Sequence, residues 1–352
     1  MGWDVPIEVP VFRTLTEAVA AGTLRTHASA EGLAPFVVEE DLPDGVAAIF
    51  ERTEADQCVF FDRHSRLCIV HRELGEPALP VTCRVFPRLA LRDRRGTFIT
   101  LSHFCPTAAS MLFDDVPLDI VTAPPAFPPA DYDGLTVTPD DLPPLLHPSM
   151  LMDLEGYSAW ERHMVARCRD VDRPPESVLA TLARDAHLLR TWKPGTCTLV
   201  EAVALLPAHV VPGSAPRDLG ESWRLYDGVM AAVPEDLRPA RDDRGVDESF
   251  AQYVVAAWDR FRAPLNRFIA AKAFASWTAY QGRGIATVVR GLEAAMAVLR
   301  VEAARQCRDA RRELDRDLLL EAFRGADFIW NHLTVGEDLA AGWSSAEERQ
   351  PA

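Results

Sequence analysis

The sequence predicts an α+β protein that is predominantly α, with a small cysteine-bearing β-hairpin domain followed by a helical bundle. Three observations carry this. Residues 1–116 mix one helical pattern with short β-prone runs. Residues 149–337 are dominated by apolar positions spaced three and four apart. Between them, 117–148 holds nine of the chain's 27 prolines; proline fixes φ and removes a backbone donor, so this stretch reads as an extended strap or linker. A polar tail, 338–352, completes the division.

Taken in order, Leu15 to Ala21 reads as a helix ended by Gly22, and Phe36-Val37-Val38 as a strand. Cys58-Val59-Phe60-Phe61 and Leu67-Cys68-Ile69-Val70 flank polar residues 62–66 and form a first hairpin. Side chains alternate faces along a strand, so loop length decides what meets what. A three-residue loop at Asp62-Arg63-His64 sets Cys58 opposite Cys68; a four-residue loop at Arg63 to Arg66 sets His71 opposite Cys58. A second hairpin joins Leu89–Arg92 to Thr97–Leu101 through Asp93-Arg94-Arg95-Gly96 and brings Cys83 and Cys105 closer together. Cys105 precedes Pro106, a residue suited to a first helical turn, which places that sulfur at a helix amino terminus.

Beyond the strap, Ile285, Val288, Val289, Leu292, Met296 and Leu299 make one apolar stripe and predict an amphipathic helix. Pro174-Pro175-Glu176 opens a helix through Val178 to Trp192, closed by Pro194-Gly195. Similar patterns cover Ser158 to Cys168, Glu221 to Val233, Glu248 to Phe261, Leu265 to Tyr280 and Leu314 to Leu333. Trp258, Phe261, Phe268, Phe274 and Trp277 on these segments read as packed core.

The chain has 352 residues, 48% of them apolar, and a formal charge of −15 from 37 Lys and Arg against 52 Asp and Glu. That charge opposes nucleic acid and anionic membranes and favours a basic protein or peptide partner. The amino terminus lacks a secretory pattern and no uncharged apolar run is long enough to span a bilayer, so a cytoplasmic location is expected. In a reducing compartment a cysteine cluster points to metal rather than to a disulfide framework.

Four of the seven cysteines, Cys58, Cys68, Cys83 and Cys105, fall within fewer than fifty residues. Thiolates gathered on a loop-rich scaffold are what tetrahedral zinc or an iron–sulfur cluster requires. None of the spacings is a C-x-x-C pair, so core thiols and a thiol redox role stand beside the metal reading, with His71 an alternative ligand. Cys168, Cys197 and Cys307 read as small core hydrophobes. Arg84, beside Cys83, suits a supporting role near sulfur. The basic set Arg84, Arg88, Arg92, Arg94 and Arg95 reads as a solvated hairpin with ordinary ion pairs. His147, His163, His187 and His332 lack metal-pair spacing. Gly282-Arg283-Gly284 alone does not make a nucleotide-binding turn.

Cys58-Val59-Phe60-Phe61, Cys68-Ile69-Val70-His71-Arg72-Glu73-Leu74-Gly75, Cys83-Arg84-Val85-Phe86-Pro87-Arg88, and Ser102 with Cys105-Pro106 and Ala108-Ala109 together resemble the YkgJ-type cysteine-cluster family, described as zinc- or iron-chelating. The nearest branch is the flagellin lysine-N-methylases. Looser likeness continues through Leu142 to Leu146, Tyr157 to Glu161 and Phe328 to His332. The resemblance implies a metal or iron–sulfur site at Cys58, Cys68, Cys83 and Cys105, and methyl transfer from S-adenosylmethionine to protein lysine; the alternative is a non-catalytic, metal-stabilised binding module. The family pattern also includes an earlier group of closely spaced cysteines. Residues 1–57 contain none, so any larger or second site that needed those thiols is expected to be absent.

Overall fold

The structure, a computed structural model, is described for residues 4–26, 33–39, 42–55, 57–65, 67–116, 118–122, 134–138, 140–281 and 284–347. Pro117, Pro124-Pro125 and Pro128-Pro129 of the expected strap, Gly282-Arg283, and tail residues 348–352 lie outside that range. The protein is 53% helix and 11% strand, an α+β fold dominated by helix. It divides into two compact units, Met1–Leu89 with Pro128–Asp133, and Ala90–Phe127 with Gly134–Ala352. The division falls inside strand β6 (Arg88–Asp93), so Cys58, Cys68 and Cys83 belong to the first unit and Cys105 to the second.

The first unit opens with β1 (Pro6–Glu8), which runs into helix α1 (Val9–Ala20). This helix begins six residues before the expected start, because Pro10 is tolerated in a first turn where its missing N–H is not needed. β1 pairs antiparallel with β3 (Val46–Phe50), and β2 (Phe36–Val37) pairs with the other edge of β3. The inward face supplies Ile7, Leu15, Ala48, Phe50, Val59 and Phe60, all buried. Phe36 lies within 5.2–6.2 Å, ring centre to ring centre, of Phe12, Phe50 and Phe60. Each fully buried aromatic or aliphatic side chain stabilises by about 1.5–3 kcal/mol.

The hairpin expected near the cysteines is shorter than its sequence pattern. β4 (Phe61–Asp62) and β5 (Leu67–Cys68) form two pairs, Phe61 with Cys68 and Asp62 with Leu67. That is the register of the four-residue loop, but pairing stops before His71 is reached. At Cys68 the chain turns into helix α2 (Ile69–Leu74), which buries Ile69 and Val70 and ends at Gly75 with φ +82°. The β-branched pair Ile69-Val70 thus packs from a helix instead of extending a strand; its apolar surface fits either geometry, and burial decides. Helix α3 (Val81–Val85) follows, its Val81 N–H donating to Glu8 Oε1 at 3.0 Å.

In the second unit β7 (Gly96–Leu101) completes the expected second hairpin, and β8 (Gly134–Thr136), from within the expected strap, adds to β6 in parallel. Helix α4 (Pro106–Met111) has Cys105 as its N-cap and Pro106 in its first turn. β9 (Leu145–His147) and β10 (Met150–Leu151) form a small hairpin. The bundle then comprises α5 (Leu154–Arg167), α6 (Pro175–Leu189), α7 (Leu199–Ala204), α8 (Gly220–Ala231), α9 (Val246–Ser249), α10 (Val255–Trp258), α11 (Arg262–Ala273), α12 (Ile285–Ala310), α13 (Arg316–Phe328) and α14 (Gly336–Glu347). A π-turn, Phe250–Val254, joins α9 to α10; a second, Ile329–Leu333, extends α13. Part of the segment read as a polar tail is therefore helix α14.

Helix α12 is the axle. The expected single apolar stripe understates it: Thr287, Val288, Leu292, Ala294, Met296, Val298, Leu299 and Val301 are all buried, and α6, α8, α11 and α13 pack against it. Its N-cap, Gly284, has φ +90°, and a Cβ there would meet the Leu146 carbonyl oxygen at 2.7 Å. This glycine serves close backbone approach. The helix read over Leu265 to Tyr280 breaks at Ala275, whose φ is +53°.

Candidate functional site

Three of the four expected metal ligands share one setting. Cys58, Cys68 and Cys83 are half-buried and pack against the hydrophobic core of the first unit. Cys58 leads into the turn whose carbonyl accepts Phe61 N–H at 2.9 Å, while Ile69 N–H donates to Phe60 O at 2.8 Å, so the backbone folds the two ends of the hairpin toward each other. Burial pushes the Cys58 thiol up to about 11, opposed by a hydrogen bond at Phe60; the charge Cys68 would carry raises it further, and Arg52 lowers it. Cys83 sits on α3, held at its start by Glu8. Cys105, also half-buried, caps α4 in the second unit. His71, the alternative ligand, is exposed, as is Arg84.

Sulfur donors at the border of an apolar core suit a soft metal in kind. In arrangement they do not form a closed site: among the described residues, no three His, Cys, Asp or Glu side chains are gathered so as to hold a metal ion. Beside Cys68, an open cleft of about 660 Å³ is lined by Thr23, Arg25, Asp62, Ile69, Arg72 and Glu73 among others. Arg72 donates to Asp62 Oδ2 at 2.7 Å and to Glu73 Oε1 at 2.8 Å.

The remaining cysteines divide. Cys168 and Cys307 are buried, as expected, and burial raises both thiols to about 12. Cys197 is half-buried, its carbonyl accepting Trp192 Nε1–H at 2.9 Å.

The basic hairpin differs from its sequence reading at Arg95. This guanidinium is buried, 4.3 Å from the Phe98 ring centre and 4.6 Å from that of Tyr157, and it donates to Asp93 at 2.8 Å and to Glu161 at 3.1 Å. Tyr280 Oη–H donates to Asp93 Oδ2 at 2.5 Å. Burial would lower the Arg95 pKa, but these carboxylates outweigh it. The tight turn folds Arg95 inward onto α5 instead of leaving it in solvent.

A second polar cluster is one the sequence reading did not assemble. Asp327 on α13 is fully buried and accepts from four groups: Ser102 Oγ at 3.0 Å, His103 N–H at 2.6 Å, Asn331 Nδ2 at 2.9 Å and Lys272 Nζ. Burial alone would raise this carboxyl; the Lys272 charge and the His103 hydrogen bond hold it far below the ordinary range. His332 Nε2 lies 2.8 Å from Ser102 Oγ. Burial pushes His332 down to about 4, against the pull of Asp327 and with help from Lys272. With the single hydroxyl proton directed at Asp327, the ring nitrogen is the donor, the reverse of a base activating a nucleophile. The readable signals were Lys272 inside an apolar helical run, the i,i+4 spacing of Asp327 and Asn331, and Ser102. His163 is likewise committed to Asp185 at 2.7 Å, beside Arg167 and Arg184.

Comparison with protein-family models, curated proteins and solved structures finds no match for the chain.

Proposed function

We propose that the chain is a cysteine-ligated metal protein whose first unit binds zinc or an iron–sulfur cluster through Cys58, Cys68 and Cys83. The observation that carries this reading is that three thiols from separate elements border one core, with Cys68 near enough to Cys58 for its charge to raise the Cys58 thiol further. Binding requires the sulfurs to lose protons and draw inward, so ligation and local folding are coupled. The second unit offers a weaker case for chemistry, because its polar groups around Asp327 are already committed to one another.

The test is anaerobic purification with elemental analysis and an absorption spectrum. Stoichiometric zinc, or iron with sulfide, is expected; protein without metal, and unable to take it up, rejects the reading. Cys83→Ser is expected to release the metal, and Cys105→Ser reports separately on the fourth expected ligand. The family resemblance extends the proposal to lysine methyl transfer. Saturable S-adenosylmethionine binding with label transfer to a lysine-containing peptide supports that extension. Capture of a basic peptide without label favours the metal-stabilised binding module.

A further inference from the structure

We propose that Cys58 and Cys68 are a thiol pair that closes to a disulfide when no metal holds them, so that oxidation and metal binding compete for the same two sulfurs. The competition rests on the metal reading above; the closure stands on the hairpin itself. Phe61 is the cross-strand partner of Cys68, and Phe61 N–H is bonded back to the Cys58 carbonyl. Ile69 N–H, next to Cys68, is bonded to Phe60 O. Backbone hydrogen bonds thus already close most of the loop between the two cysteines, which lowers the entropy cost of bringing them together. Both thiols lie half-buried on the border of one core, with Cys58 one tight turn before Phe61, the residue across from Cys68. Cys83 is fixed on a different element, behind the Glu8 contact at the start of α3.

The chemistry is thiol–disulfide exchange with a small-molecule disulfide such as glutathione disulfide. One cysteine thiolate attacks a sulfur of the oxidant, forming a mixed disulfide and releasing one thiol. The second cysteine attacks the protein-side sulfur, forming the Sγ–Sγ bond and expelling the second thiol. The two cysteines lose two electrons and two protons, and two molecules of thiol carry them away.

Reduced, chelator-treated full-length protein is exposed to glutathione disulfide, alkylated and digested with trypsin without reduction. Cleavage at Arg52, Arg63, Arg66 and Arg72 separates the cysteines onto peptides Thr53–Arg63 and Leu67–Arg72. The expected product is these two peptides joined as the main protein disulfide, abolished in Cys68→Ser and retained in Cys83→Ser. Persistent glutathione adducts without the link, or Cys58 joined mainly to Cys83, overturns the proposal. A parallel sample carries zinc at about ten times its dissociation constant, and linking there is expected to be about tenfold slower. An unchanged rate in zinc, with the link formed, sinks the competition and the assignment of metal to these sulfurs but leaves the closure standing. Loss of the link with and without zinc sinks the closure alone.

Discussion

The Asp327 cluster and the cysteine border are opposite ways of treating reactive side chains. Around Asp327, a serine, a lysine and an asparagine spend their hydrogen bonds on one buried carboxylate, and a histidine is held neutral beside them. Around Cys58, thiols sit half-exposed at the edge of a core, and the main force acting on the ionisation of Cys58 is burial itself. A cluster that resembles catalytic machinery can be structural because its valences are filled. Soft sulfur donors at the edge of a core are the better candidates for ligands.

The widest separation between the two regions is expected in stability. Asp327→Ala leaves Lys272 buried without its partner and is expected to destabilise by about 3–5 kcal/mol. Seven of the eight tryptophans lie in the second unit, so urea unfolding followed by tryptophan fluorescence reads the effect there; a loss below about 1 kcal/mol would contradict a structural role for the cluster.

The pH dependence comes next. His332 titrates at about 4 when folded against an ordinary value of 6.5, so between these values the unfolded chain binds more protons. Stability is full above about pH 6.5 and falls as pH drops toward 4, by up to about 3 kcal/mol. His103, lowered by burial, acts in the same direction. His332→Gln is expected to flatten the slope of urea midpoint against pH over this window, and an equally steep profile in the variant would assign the slope elsewhere.

A smaller effect sharpens the comparison at the rim of the Glu161 site. Ala275 holds φ +53° while its N–H donates to Glu161 at 3.0 Å, and Ala275→Gly is expected to raise stability by about 0.5–1 kcal/mol through relief of the left-handed backbone. Thermal denaturation checks the sign; destabilisation would mean that the lost methyl contacts and greater chain entropy outweigh the strain. Smallest of all, Cys68→Ser in metal-free protein is expected to change stability by about 1 kcal/mol or less. A loss comparable to Asp327→Ala would show that this thiol is core rather than a ligand in waiting.

Much of the fold was legible because periodicity is local. The hairpin through Asp93 to Gly96, the Pro106 helix start and the long helix after Gly284 all declare themselves within a few residues. The first hairpin was overextended, since Cys68-Ile69-Val70 is equally apolar as strand or helix and only the core beneath decides. Arg95 read as solvated because no local pattern reveals Glu161 and Tyr157 waiting on α5. The Asp327 cluster joins residues more than two hundred positions apart, and such pairing leaves no trace in spacing. For the candidate site, the residue types were visible. Their placement on one core for Cys58, Cys68 and Cys83, and in the other unit for Cys105, was not.

Helix α12 is about 39 Å long at 1.5 Å per residue, and it is enclosed along most of that length. A shaft packed by four helices cannot be withdrawn piecemeal, so the surrounding helices share its fate. Slow amide exchange from α6, α8 and α13 should therefore report a common opening event, and a proteolytic nick within 285–310 should dissolve the whole bundle rather than trim one edge.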